Sequence, residues 1–183
     1  MSAFKAFQAG SVMRWHTNPA LCHSGDRLDG HSARVARLIM LWHTCPSHAL
    51  IRAALTHDDG EIVIGDLKGP GKRELSATTI AEIEDVEQKH AISIWGKPQS
   101  LDDDEKLWLT FADKTDALMW MLYYSPHQLN KLDWQQQVIK LHKAARYLKC
   151  NTQFRIAIAE ANYAGDGELQ RMSDLLDYDG LEK

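Results

Sequence analysis

The sequence predicts an all-α fold in one compact domain, on three observations. Apolar residues recur at three- and four-residue steps through most of the chain. Alternating β-branched runs are scarce, and the best of them, "EIVIG" at 61–65, is short. The strongest chain breakers, Pro46, Gly60, Gly96 and Pro126, fall between the periodic segments. A length of 183 residues suits one domain, and an apolar fraction of 44% is ordinary for a chain that buries a core.

Residues 1–30 read as irregular, because Pro19, Gly25 and Gly30 interrupt any long helix. A first helix is expected from Ser32, with Val35, Leu38, Ile39 and Trp42 on one face, Asp29-Gly30 as its entry and Pro46 as its end. Ser47 is a good N-cap for a second helix through Leu50, Ile51, Ala54 and Leu55, stopping near Gly60. Residues 61–73 hold three Gly and one Pro and read as a loop around a short turn. Ile80, Ile83 and Glu87 share a face of a third, more polar helix, which Gly96-Lys97-Pro98 breaks. The acids of "SLDDDEK" suit the positive end of a long fourth helix, whose apolar face runs from Leu107 through Phe111, Leu118, Met121 and Leu122 to Ser125-Pro126. Two further helices, roughly 133–149 and 152–164, precede a charged tail around "GDGELQRMSDLLDYDG".

A formal charge of −4 argues against non-specific binding to polymeric nucleic acid, which needs a basic face. It leaves open a small phosphorylated substrate held by a few local cations. No apolar run approaches the ~18 residues of a membrane span, and the N-terminus lacks the apolar core of a secretory signal. Three scattered cysteines form no CxxC, which favours reduced thiols in a cytoplasm. Abundant apolar helix surface predicts a symmetric homo-oligomer.

The stretch "HDDGEIVIGDLKGPGK" crowds His57, Asp58, Asp59, Glu61 and Asp66 together, where like charges repel. Solvated loops tolerate such acids, and an HD dipeptide alone arises often by chance. Its company is more informative. His31 sits just before the first amphipathic helix, the HD pair closes the second, and Asp113 falls on the most apolar helix of the chain. Two imidazoles and two carboxylates, His31, His57, Asp58 and Asp113, make a mixed N/O set for a divalent transition metal: zinc, cobalt or manganese, with magnesium a further candidate. Side chains on several packed helices can converge in that way. Adjacent helical residues diverge by about 100°, so His57 and Asp58 share an ion most easily where the helix ends, and Gly60 is at hand. Asp59 reads as a surface acid.

The order H…HD…D resembles the HD-domain metal-dependent phosphohydrolases. The pattern HDxxExxxGDxxxPxK, met at His57, Asp58, Glu61, Gly65, Asp66, Pro70 and Lys72, resembles their 5'-deoxynucleotidase branch, as does the upstream pair Arg14-Trp15. The resemblance covers roughly residues 12–125. Gly30, where that branch usually has Glu, and the loose Gly69 and Gly71 depart from it.

The resemblance implies one HD domain over 1–183 and hydrolysis of the 5'-phosphoester of a deoxynucleotide. Release of phosphate from a monophosphate fits the motif, and so does release of triphosphate from dATP, as in small phage-encoded HD enzymes. It implies that Glu61 positions or activates the attacking water and that Asp66 assists departure of the nucleoside oxygen. Arg14, Lys72 and Pro70 would border the phosphate, and Lys68 and Lys97 would extend the cationic patch toward a triphosphate. Trp15 would wall the sugar, a bulky indole leaving no space for a 2'-hydroxyl. Two alternatives stand beside this: a non-catalytic nucleotide-binding HD protein, and hydrolysis of cyclic dinucleotides or guanosine polyphosphates by another HD branch. The other tryptophans, Trp42, Trp95, Trp108, Trp120 and Trp134, read as core or subunit contacts.

Overall fold

The computed structural model describes residues 2–67 and 69–165, except for the side chains of 69, 70 and 162–165. Lys68 and the charged C-terminal tail lie outside the described residues. Among those described, the fold is all-α: α1 (Ala3–Gly10), α2 (Leu28–Trp42), α3 (His48–Thr56), α4 (Gly69–Arg73), α5 (Ala77–Trp95), α6 (Asp103–Tyr124), α7 (Leu132–Tyr147) and α8 (Asn151–Gly165). Short 3-10 turns cover Cys22–Ser24, Asp59–Ile62 and Pro126–Asn130. The sole extended pairing among the described residues is an isolated antiparallel bridge between Met13 and Arg27. No helix among them is long and apolar enough to cross a membrane.

Two units divide the chain. One takes the residues up to Arg37 with Ser47–Asp102, and the other takes Leu38–Pro46 with the residues from Asp103 onward.

In the second unit α6 is the axis. Three acids, Asp103, Asp104 and Glu105, occupy its first turn, where the helix dipole favours negative charge. Phe111, Leu118, Met121 and Leu122 are buried along it, with Leu141 of α7 and Phe154 and Ile158 of α8. Phe111 is the aromatic hub, its ring centroid 5.6 Å from Phe154 and 6.0 Å from both Trp42 and Trp108. The helix stops at Tyr124 because Pro126 forces the preceding residue out of the helical region, and Ser125 has ψ 59°.

In the first unit, serine caps set the helices. Ser47 Oγ accepts from Leu50 N at 3.0 Å to start α3, and Ser76 Oγ accepts from Thr79 N at 3.1 Å to start α5. Gly96, at φ 76°, ends α5 in a conformation that favours glycine.

Three local expectations give way here. Residues 3–10 are helical rather than irregular: Ser2 caps α1 by accepting from Lys5 N, yet Phe4 and Phe7 stay exposed, so no buried stripe marks it in the sequence. Helix α2 begins at Leu28, not Ser32, so Gly30 and His31 lie inside it. The anchor is Leu28, buried and hydrogen-bonded from its N–H to the Val12 carbonyl at 3.1 Å. The segment 61–73, expected as a loop around a short turn, does open as a 3-10 turn and a loop, with Val63 and Ile64 exposed, but it carries the short helix α4 at Gly69–Arg73.

Gly60 marks a close approach within the first unit. A Cβ there would lie 2.3 Å from the Glu87 carbonyl oxygen of α5, far inside van der Waals contact. Gly60→Ala is therefore expected to destabilise the protein by about 1–3 kcal/mol in chemical denaturation, through overpacking against backbone. An unchanged denaturation midpoint would contradict that approach.

Cys22 and Cys45 are exposed and Cys150 is buried, with burial pushing its thiol up to about 11. Thiol titration of the native protein near pH 8 is expected to label Cys22 and Cys45 quickly and Cys150 only after denaturation. Rapid labelling of all three would place Cys150 elsewhere.

Candidate active site

Helix α3 ends at Thr56; His57, its C-cap, keeps helical backbone angles (φ −62°, ψ −33°), and the chain leaves the helix at Asp58 (φ −100°, ψ 0°). His57 Nδ1 lies 3.1 Å from the Ala54 carbonyl, which can only accept, so Nδ1 carries the hydrogen and Nε2 of the neutral ring presents a lone pair. His57 Nε2 is buried and makes no hydrogen bond, and it stands 3.4 Å from Asp58 Oδ2.

His31, in the first turn of α2, is fully buried, and its Nε2 lies 3.5 Å from the same oxygen. The two imidazole centroids are 5.3 Å apart. These spacings fit a cation. Ligand atoms about 2.1 Å from a tetrahedral ion stand roughly 3.4 Å from one another, the separation found between Asp58 Oδ2 and each imidazole nitrogen. The donor set of His31, His57 and Asp58 suits a divalent transition ion by chemistry as well.

Asp113 belongs to the second unit. It lies on α6, half-buried, with its Oδ2 2.9 Å from Lys114 Nζ.

Glu61, on the 3-10 turn after Asp58, is buried, and so is Asp66. Lys72 of α4 is half-buried, and its side chain makes no hydrogen bond or ion pair among the described residues. Pro70 also lies in α4, but its side chain is outside the described residues. A cavity of about 660 Å³ is lined by His57, Asp58, Glu61 and Lys72 and by residues of α3 and α5 that include Arg52, Glu87 and Trp95.

Arg14, Trp15 and Asp66 lie off that lining and join a separate buried network. Arg14 Nη1 donates to Asp26 Oδ2 at 2.9 Å, and Arg14 Nε stands 3.8 Å from Asp66 Oδ2. Trp15 Nε1 donates to the same Asp26 oxygen at 3.0 Å, and Arg34 Nη2 donates to Asp26 Oδ1 at 2.7 Å. Part of Arg14's fork is thus already engaged.

Asp59 corrects an expectation. It is buried rather than on the surface, because Trp95 Nε1 donates to its Oδ2 at 2.7 Å across the contact with α5. Trp95 is accordingly a hydrogen-bond partner rather than an anonymous packing residue. Burial raises the Asp59 carboxyl against the opposing effects of that bond and of His57, with Asp58 adding to the rise.

Sequence reasoning missed Asp26, Arg34 and Glu87. For Asp26 there was a signal: an arginine assigned to a site needs an acid to hold it, and Asp26 is the first acid after Arg14. Glu87 was seen only as a helix-face residue. Its Oε1 is buried without a hydrogen bond among the described residues.

No family model, curated protein or solved structure matches the chain.

Burial pushes the Glu87 carboxyl up, opposed by Lys72 and reinforced by Asp58, Glu84 and Asp66. The folded state therefore holds this proton more tightly than the unfolded state. Ionised Glu87 costs stability above its folded pKa, and the cost disappears as pH falls below the ordinary carboxylate range. Metal-free Glu87→Gln is expected to melt higher than wild type at pH 7, with the gap closing below about pH 4. Equal melting at pH 7 would refute this.

Proposed function

We propose that this chain is a metal-dependent phosphohydrolase of the HD-domain type that cleaves the 5'-phosphoester of deoxynucleotides. The observation that carries the reading is Asp58 Oδ2 placed 3.4 and 3.5 Å from two imidazole nitrogens, the edge length of a metal's coordination shell. His31, His57 and Asp58 would hold the ion. Asp113 enters as the fourth ligand from the order of the sequence motif alone. A divalent cation there supplies Lewis-acid polarisation of a phosphoryl oxygen and lowers the pKa of water.

The remaining roles fall to the chain's own groups. Glu61, buried three residues after Asp58, orients the attacking water and takes its proton. Asp66 protonates the departing nucleoside oxygen, a poor leaving group without an acid beside it. Lys72 attracts the phosphate as a point charge, and Arg14 orients it through its planar guanidinium. Pro70 belongs to the same motif. Trp15 excludes a 2'-hydroxyl by bulk. Self-association into a symmetric oligomer belongs to the same reading.

Purified protein loaded with cobalt, manganese, zinc or magnesium is expected to hydrolyse deoxynucleotides faster than ribonucleotides. Monophosphates releasing inorganic phosphate, against dATP releasing tripolyphosphate, separate the two versions of the substrate. His57→Ala should abolish metal-dependent turnover. Asp66→Asn should cost about a hundredfold or more in kcat with metal content unchanged. Absence of turnover with every cation would favour a non-catalytic nucleotide binder. Preference for cyclic dinucleotides or guanosine polyphosphates would transfer the chain to another HD branch.

A further inference from the structure

We infer that Asp26 is a positioning residue that locks Arg14 and Trp15 into one unit, so that phosphate orientation and sugar selection depend on a single carboxylate. This rests on the deoxynucleotide reading and extends it to a residue outside the motif.

Asp26 has 1% side-chain exposure and uses both oxygens. Its Oδ2 accepts from Arg14 Nη1 at 2.9 Å and from Trp15 Nε1 at 3.0 Å. Its Oδ1 accepts from Arg34 Nη2 at 2.7 Å, and its backbone carbonyl accepts from Arg14 N at 2.9 Å. The Arg14 guanidinium carbon lies 5.2 Å from the centroid of the Trp15 ring, so the two side chains also touch each other.

Trp15 has φ 63°, a left-handed conformation that is unfavourable for a bulky residue. Such strain persists only where surrounding contacts over-determine it, and it gathers at functional sites. Here the ties are the indole N–H to Asp26 and the neighbouring Arg14 amide to the Asp26 carbonyl. Because one oxygen serves both Arg14 and Trp15, losing that oxygen loosens both at once. Loss of the charge would also leave buried Arg14 drawn toward Asp66, whose Oδ2 is 3.8 Å from Arg14 Nε.

Asn at this position cannot reproduce the arrangement, since whichever way it turns its NH2 faces a donor. The test compares wild type, Asp26→Asn and Arg34→Gln in turnover of dAMP against AMP and dATP against ATP, with cobalt content and melting temperature measured alongside. Asp26→Asn is expected to lose about tenfold or more in kcat/KM for the deoxynucleotide, mostly through KM, the scale of one charge-assisted hydrogen bond. The ratio of deoxy to ribo turnover should fall with it, while bound cobalt stays the same.

Arg34→Gln withdraws the donor to Oδ1, from a side chain 29% exposed, and should shift the same ratio less. It decides the question if Asp26→Asn does not fold. A lower melting temperature with an unmoved deoxy-to-ribo ratio would overturn the inference and leave Asp26 a structural residue. Wild type inactive on every nucleotide would overturn the deoxynucleotide reading itself, an outcome distinct from the first.

Discussion

The first unit depends on the seating of a 3-10 turn directly on the backbone of α5. At Gly60 the turn comes so near the Glu87 carbonyl that a single methyl group would stand 2.3 Å from it, where carbon ordinarily requires ~3.5 Å. That seat fixes where the chain goes after α3. The helix stops at Thr56, the turn Asp59–Ile62 rests on α5, and His57 and Asp58 are left in the corner between them. Asp59 strengthens the seat by taking the Trp95 indole N–H, a bond that also explains why a carboxylate can be buried at that point.

The crowd of acids following α3 is resolved by separation, each member finding a different environment. Two carboxylates 4 Å apart repel by about 4 kcal/mol at an effective dielectric of 20, so a shared pool of negative charge would be costly. Asp58 lies against two imidazoles, Asp59 against an indole N–H, and Asp66 within 3.8 Å of a guanidinium. Glu87 is the exception. It adds a carboxyl from another helix with Lys72 as its opposing cation, and burial raises it. The surplus of acid at this end of the cavity is what an incoming cation would neutralise.

Helices were legible wherever a cap and a buried stripe coincided. Ser47 opening α3 and the Phe111–Leu122 face of α6 are both read directly from spacing. Legibility failed where one signal was missing. Helix α1 buries only Ala9 and Gly10, so its periodicity carried no information. The start of α2 was displaced because a tertiary bond, Leu28 N to Val12 O, decides it rather than Asp29-Gly30. In the site, the motif named His31, His57 and Asp58 correctly as neighbours, yet it could not show that the Asp58 carboxylate lies between the two rings. Asp26 stayed hidden because the two motif residues it holds, Trp15 and Arg14, sit eleven and twelve residues away, a spacing that no local period links.

The two cations of the proposed site differ in a way that assigns them different work. Arg14 is 3% exposed, with one nitrogen on Asp26 and another near Asp66, so most of its charge is already balanced and its plane is fixed. Such a group contributes little long-range attraction but holds its guanidinium plane at a set angle, which suits orientation of a tetrahedral anion. Lys72 is the opposite case: half-buried on a five-residue helix, without an ion pair among the described residues, and facing the cavity. Its charge acts on whatever enters. Attraction by the lysine and alignment by the arginine are separable contributions, because the first acts through charge alone and the second through a geometry that Asp26 and the strained backbone of Trp15 hold in place.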